Sequence, residues 1–516
     1  MYGLADIVHR NRTSALRDLD KIALVCGEEE LTYAALGERV SRLAAGLHAA
    51  GFRRGDRCAI LLHNRTEWLE LLFAVAHLGG VSVPLNYFLK PKEVRFAVKD
   101  SGARWLASEA ALWEGVASVA QDLDDVTLIA VDAPRPGART WGELTDPTHP
   151  AVAMVPVMTD EPALLQYTSG TTGFPKGAVH THGTLLFNAA AQIVDLGVGE
   201  DDVHLVVPAL CWAAGLHCIT LGALWRGATV VVRPTGNLTA PELCALIERR
   251  RTTTAMLAPS VLRIVLDDPR SREHDLSSMR LIISGGEPVS PELLGQVRAV
   301  LPEARLMQGY GVSEFPSTAA FLDDAEVLAR RGAAGRASML ATIRVVDEDG
   351  HDLPPHEHGE IAMRAPSIST RYHGPADGPP RTAVVDGWLR TGDRGWTDED
   401  GFLHVAGRVS EMYISGGLNV YPAEVERVLQ DHDAVAEVAV VAVPHERYGQ
   451  TGRAIVVLHE ADAVTAEELE ALCRDELANF KVPREWSLTT DPLPRTVSGK
   501  VRRFLLVPRE SLEHSS

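Results

Sequence analysis

Hydrophobic positions in this chain fall into two alternating rhythms. Arg57-Cys-Ala-Ile-Leu-Leu62 is a short, nearly continuous apolar run, residues 66–78 repeat apolar positions at helix-face spacing, and Val81-Ser-Val-Pro84 is extended again. That pattern predicts strand, helix, strand. It resumes with strand-like runs at 203–207, 228–232, 254–257, 281–284 and 305–307, separated by helix-length segments such as 240–250 and 291–300. Such alternation predicts an α/β fold of layered, largely parallel sheets. Near Gly407 the character changes. A helix-like 422–430, strand-like runs at 435–443 and 453–458 and an amphipathic segment at 465–477 predict a small α+β domain at the C-terminal end.

Composition narrows the class. A chain of 516 residues is too long for one core, and 46% hydrophobic with 23% charged residues is an ordinary globular balance. Net charge is −19, and the longest basic cluster is Arg249-Arg-Arg251, which argues against nucleic acid or an anionic membrane as partner. Six scattered cysteines without C-x-x-C spacing, and a start lacking a signal-peptide core, point to a reducing cytoplasm and no structural zinc. No apolar run is long enough to span a bilayer, so a soluble protein is expected, with a homodimer left open. The Pro/Gly-rich 133–137 and 373–380 read as surface loops.

One stretch changes this picture from class to chemistry. Tyr167-Thr-Ser-Gly-Thr-Thr-Gly-Phe-Pro-Lys-Gly177 holds three glycines, four hydroxyls and one lysine. Glycines bring backbone N–H groups close to an anion, the hydroxyls add donors and Lys176 adds charge, so the stretch reads as a phosphate cradle. It is not a Walker loop, because Pro175 stands where the second glycine belongs and Gly177 where the metal-binding Ser/Thr belongs. The apolar 163–167 before it and the helix-like 181–194 after it suggest a strand, loop, helix arrangement.

Thr168-Ser-Gly-Thr-Thr-Gly-Phe-Pro-Lys-Gly177 resembles the signature loop of the adenylate-forming superfamily, which contains acyl-CoA synthetases, peptide-synthetase adenylation domains and firefly luciferase. The resemblance implies that Thr168, Ser169, Gly170, Thr171, Thr172, Gly173 and Lys176 surround the phosphates of ATP. Four further segments resemble the family in order. Gln308-Gly-Tyr-Gly-Val-Ser-Glu314 matches its Tyr-Gly-x-Thr-Glu segment, which implies Gly309, Tyr310 and Gly311 against adenine, a Ser313 hydroxyl for the α-phosphate and Glu314 for Mg²⁺. Those roles suit a π-face, a donor and a hard oxygen. Leu281-Ile-Ile-Ser-Gly-Gly-Glu-Pro288 matches the adenine-side turn, with Gly286 and with Glu287 in place of the common alanine. Asp393 in Thr391-Gly-Asp393 and Arg408 resemble the groups that hold ribose hydroxyls. Pro494-Arg-Thr-Val-Ser-Gly-Lys500 resembles the C-terminal segment whose lysine, here Lys500, is catalytic.

The family's architecture then implies an N-terminal domain over 1–409 that binds AMP and the acid, and a mobile C-terminal lid over 410–516. The lid would turn about Ser410, where most members carry Asp or Lys, and bring Gly416 and Gly417 beside the pantetheine arm of coenzyme A. Val207-Pro-Ala-Leu-Cys-Trp-Ala-Ala-Gly215 aligns with the family's acid pocket. Cys211 and Trp212 would wall it, with Gly215 leaving room, although Trp212 reads equally well as core. The implied activity is that of an acid-CoA ligase using ATP, Mg²⁺ and coenzyme A on a fatty or aryl acid. Transfer to a carrier protein or a nitrogen nucleophile is the alternative, and a non-catalytic nucleotide-binding relic is a remoter one.

Overall fold

The computed structural model describes residues 2–13, 18–120, 122, 125–168, 176–286, 289–316, 318–330, 332–374, 384–408, 411–415, 418–445, 447–495 and 501–507. Among them are a 14-stranded, a 7-stranded and a 5-stranded sheet.

Strands Ile22–Cys26, Thr229–Val232, Val203–Val206, Thr254–Met256, Leu281–Gly285 and Arg305–Tyr310 run parallel at the middle of the largest sheet. Thr229-Val-Val-Val and Leu281-Ile-Ile-Ser-Gly are largely apolar because both faces are buried, Val230, Val232, Leu281 and Ile283 in one core and Val231 and Ile282 in another. Helix Pro291–Val300 and helix Ala240–Arg250 coincide with the segments read from periodicity, the latter burying Leu243, Cys244 and Ile247. Beyond Tyr310 the sheet turns antiparallel through Ala320–Asp323, Ala333–Ala337, Leu403–Arg408, Trp388–Thr397, Gly359–Arg364 and Thr342–Val346. In this largest sheet the expectation of parallel strands therefore holds only for the first half. The later strands are joined by turns rather than by helical crossovers, so nothing obliges them to run parallel.

The 7-stranded sheet orders Ala138–Thr140, Thr127–Ala130, Trp105–Ser108, Arg57–Leu61, Val81–Pro84, Pro162–Thr168 and Lys176–Thr181. Helix Thr66–His77 contacts both large sheets, through Ile22–Cys26 and Val81–Pro84, and buries all but one of its residues. A helix apolar all round belongs between two layers.

The phosphate-loop context differs from the strand, loop, helix reading. Lys176–Thr181 is itself a strand, antiparallel to Pro162–Thr168, and the loop closes that hairpin. Helix His182–Asp195 begins only afterwards, its first turn capped by the Thr181 hydroxyl accepting from the Thr184 N–H at 3.1 Å. Val179 and His180 are buried strand residues, so the chain stays extended past Lys176 before the cap can form.

At the C-terminal end, Gly449–Leu458 pairs antiparallel with Val435–His445 and parallel with Glu485–Thr489, with helices Pro422–Gln430 and Ala466–Glu476 packed around a separate core. Buried Glu424 on the first of these helices contacts Lys481 and lies 3.7 Å from His358 of the large sheet's antiparallel half. The 409/410 boundary lies outside the described residues.

Candidate active site

The parallel strands Leu281–Gly285 and Arg305–Tyr310 end side by side, with Gly285 opposite Gly309. Ligands in α/β sheets bind beyond such carboxyl ends. A Cβ on Gly285 would stand 2.6 Å from the Gly309 carbonyl oxygen, so that glycine permits a close approach of backbones, and one on Gly309 would stand 2.8 Å from Thr318 Cγ2, so that glycine makes room for a side chain. Gly286 follows with φ +90°, a left-handed conformation that suits glycine. The Gln308 side chain fixes the next turn: its Oε1 accepts from the Val289 N–H at 2.7 Å and its Nε2 donates to the Ala333 carbonyl at 3.0 Å. Glu287 lies outside the described residues.

Tyr310 donates its hydroxyl to Asp393 Oδ2 at 2.6 Å. Asp393 is buried, and its backbone pairs with that of Arg408 in the antiparallel ladder. Gly311 and Ser313 continue the same segment, and the Ser313 carbonyl accepts from His180 Nε2 at 3.1 Å, which ties this sheet to the hairpin of the other.

Glu314 receives the Tyr372 hydroxyl on Oε1 at 2.6 Å. The Lys176 ammonium lies 5.7 Å from the centre of the Tyr372 ring, close enough for a cation–π attraction. Tyr372 therefore joins the lysine of the phosphate loop to the carboxylate assigned to the metal. Its segment runs along the hairpin, with the Val179 N–H donating to the Arg371 carbonyl at 3.0 Å and the His373 N–H to the Gly177 carbonyl at 2.6 Å. His373 is half-buried, its Nε2 2.8 Å from the Asp100 carbonyl oxygen, so the reading of 373–380 as a surface loop is corrected at its first residue. Residues 375–380 lie outside the described residues.

Sequence reasoning assigned no role to Tyr372 or to Gln308, because an isolated tyrosine before a Pro/Gly-rich stretch carries no periodic signal. A magnesium ion fits this place. Glu314 offers a hard carboxylate with one oxygen fixed by Tyr372, and Oε2 has no hydrogen-bond partner among the described residues.

Thr168 and Lys176 pair across the mouth of the hairpin. Ser169, Gly170, Thr171, Thr172 and Gly173 lie outside the described residues, as do Ser410, Gly416, Gly417 and Lys500. Tyr167 anchors the mouth by donating its hydroxyl to Asp100 Oδ2 at 2.6 Å, and burial together with that carboxylate raises the phenol's pKa.

The acid-pocket segment sits beside the hairpin. Cys211 is buried, its thiol pushed up to about 12 by desolvation, and its carbonyl accepts from Gln166 Nε2 at 3.0 Å. Trp212 is half-buried and packs against the main core, its backbone forming the start of the short helix Ala213–Leu216. Gly215 does not leave open room, because the Ala209 carbonyl oxygen stands 2.1 Å from where its Cβ would be. That glycine serves the tight turn instead.

Residues 12–373 match the AMP-binding enzyme family and residues 424–500 the AMP-binding enzyme C-terminal domain. The chain is 39% identical over 477 residues to a feruloyl-CoA synthase of an Amycolatopsis species, covering 92% of this chain and 93% of that one. It is 39% identical over 486 residues to the indoleacetate–CoA ligase of Aromatoleum aromaticum, covering 94% of each. Its fold matches the O-succinylbenzoate coenzyme A synthetase of Bacillus subtilis solved with ATP and magnesium, with a TM-score of 0.81, 30% identity and coverage of 97% and 99%. The chain belongs to the AMP-binding enzyme family, in its branch of AMP-forming acid–CoA ligases.

Proposed function

We propose that this protein activates an aromatic carboxylic acid as its acyl-adenylate and passes the acyl group to the thiol of coenzyme A. The observation that carries the reading is that one short segment, 310–314 at the end of strand Arg305–Tyr310, engages Asp393 through the Tyr310 hydroxyl and, through Glu314, the Tyr372 ring beside which Lys176 lies. The choice of an aryl over a fatty acid is supported by the two 39% identical relatives, whose names specify ferulate and indoleacetate.

A carboxylate and a thiol do not condense spontaneously in water, so the acid first needs a leaving group. A carboxylate oxygen attacks the α-phosphorus of ATP, the bond to pyrophosphate breaks in line, and the acyl-adenylate forms. Positioning and charge neutralisation do most of the work in such a transfer. Lys176 and, by resemblance, Lys500 supply positive charge. Tyr310 and Asp393 hold the adenosine end. Magnesium, when bound at Glu314, neutralises phosphate charge, and Tyr372 orients the carboxylate that holds it. In the second step the thiol sulfur attacks the acyl carbon and AMP leaves, with its carbonyl-side oxygen retained on phosphate. For that, a lid carrying Lys500 gives way to Gly416 and Gly417 by rotation at Ser410, with the chain divided as 1–409 and 410–516. Six free cysteines suit a reducing compartment, and a cytoplasmic location supplies both ATP and coenzyme A.

The test is pyrophosphate release over matched aryl and fatty acids, with and without coenzyme A, with products weighed by mass spectrometry. Aryl acids should be preferred and thioesters should appear only with coenzyme A. A preference for fatty acids would overturn the acid assignment, and release of AMP only with a carrier protein or an amine would overturn the acceptor.

A further inference from the structure

His217 is 1% exposed, and neither of its ring nitrogens has a hydrogen-bond partner among the described residues. His180, wholly buried, lies with its ring centre 5.7 Å away, and its Nδ1 is likewise unpartnered. Gln166 Oε1 is a fourth buried oxygen or nitrogen atom without a partner among the described residues. These atoms belong together. Gln166 stands opposite Ala178, and His180 opposite Leu164, so both side chains project from the same face of the hairpin. Gln166 Nε2 donates to the Cys211 carbonyl, and His217 closes the turn that begins there, its N–H donating to the Ala213 carbonyl at 2.8 Å.

The proton positions follow from the contacts. Burial holds both imidazoles neutral, with His180 brought down to about 4 and His217 well below its ordinary range. The Ser313 carbonyl can only accept, so His180 Nε2 carries the hydrogen and Nδ1 is a bare acceptor. His217, neutral, has one acceptor and one donor. The group as a whole thus presents three acceptors and one donor, in a buried place where unpaired polar atoms are costly. A carboxylate, which only accepts, does not match it. A neutral O–H or N–H does.

We propose that His180, His217 and Gln166 form a polar end of the acid pocket, and that they select an aryl acid carrying a hydroxyl or N–H donor on its ring over the same acid without it. The inference rests on the aryl-acid reading above and names the substituent that the acid carries. Sites built to hydrogen-bond a substrate hydroxyl discriminate strongly against analogues lacking it, because their own polar atoms are then left unpaired.

The experiment compares 4-hydroxycinnamate with cinnamate and 4-hydroxyphenylacetate with phenylacetate, by kcat/KM for pyrophosphate release in the presence of coenzyme A. Wild type should favour the hydroxylated member by about 100-fold or more. His217→Phe should collapse that ratio by at least about tenfold while the KM for ATP stays unchanged. His217→Gln, which keeps a donor and an acceptor, should retain most of the preference. An equal loss for both members of a pair, with a lowered melting temperature, would show that the histidines hold only an internal water and would overturn the proposal. So would an unchanged ratio in His217→Phe. Turnover of fatty acids with no activity on either member of any pair would overturn the aryl-acid reading itself, and this inference with it.

Discussion

The Tyr372 hydroxyl donates to Glu314 Oε1 at 2.6 Å while the Lys176 ammonium sits 5.7 Å from the centre of the same ring. Two residues 58 positions apart in sequence are thereby held in one geometry, and a single tyrosine mediates between the positive end of the phosphate loop and the carboxylate suited to a dication.

Tyr372→Phe removes the hydroxyl and keeps the ring. A hydrogen bond to a charged group contributes about 1.5–3 kcal/mol, so adenylation should fall at least about tenfold, with the loss concentrated in the magnesium dependence of the rate. Titrating magnesium at fixed ATP in a pyrophosphate-release assay checks this. An unchanged magnesium response would remove Tyr372 from the site.

For the adenosine end, Tyr310→Phe and Asp393→Ala should be coupled. Each breaks the same 2.6 Å hydrogen bond, so the double variant should lose less ATP affinity than the two single losses added together. Calorimetric ATP titration of all four proteins gives the coupling directly, and strict additivity would mean that the pair does not act as a unit.

Acid should destabilise the fold through its buried histidines. His180 and His182 are brought to about 4 and His204 to about 3, in each case first by desolvation. A depressed folded pKa gives stability that is present above the unfolded value of about 6.5 and is lost as pH falls towards the folded one. At pH about 5.5 each such histidine should have cost about 1.4 kcal/mol, because the unfolded chain binds a proton that the folded chain does not. Denaturant midpoints taken from pH 7.5 down to 5 should decline through this window, and a flat profile would contradict the burial of neutral imidazoles.

Lys500→Ala should abolish adenylation, by about 100-fold or more, yet leave thioester formation from a supplied acyl-adenylate largely intact. Following both half-reactions separately tests this, and equal losses in the two would contradict a lysine that serves only the first.

Much of the fold could be read along the chain wherever periodicity had a single cause. Pro291–Val300, Ala240–Arg250 and Pro422–Gln430 begin and end as read, because each opens on proline within its first turn and carries one apolar face. The antiparallel half of the large sheet was not legible, since half-buried strands such as Trp388–Thr397 mix charge and glycine with their core positions. The loop, the Tyr310–Glu314 segment and Asp393 stand out in the sequence because several residue types recur there in a fixed order. Tyr372, Gln308 and His180 do not: each engages a partner brought close only by folding, such as the Ser313 carbonyl for His180. Gly215 misled for a related reason, because a small residue beside a pocket and one beneath a carbonyl look alike in sequence.

The central claim is that an oxygen of the acid attacks the α-phosphorus of ATP. An aryl acid labelled with oxygen-18 in its carboxylate, turned over with ATP and coenzyme A, tests it in a single mass spectrum. AMP should carry one labelled oxygen, pyrophosphate none, and the thioester the other. Label appearing in pyrophosphate or inorganic phosphate, or an unlabelled AMP alongside thioester, would contradict the account.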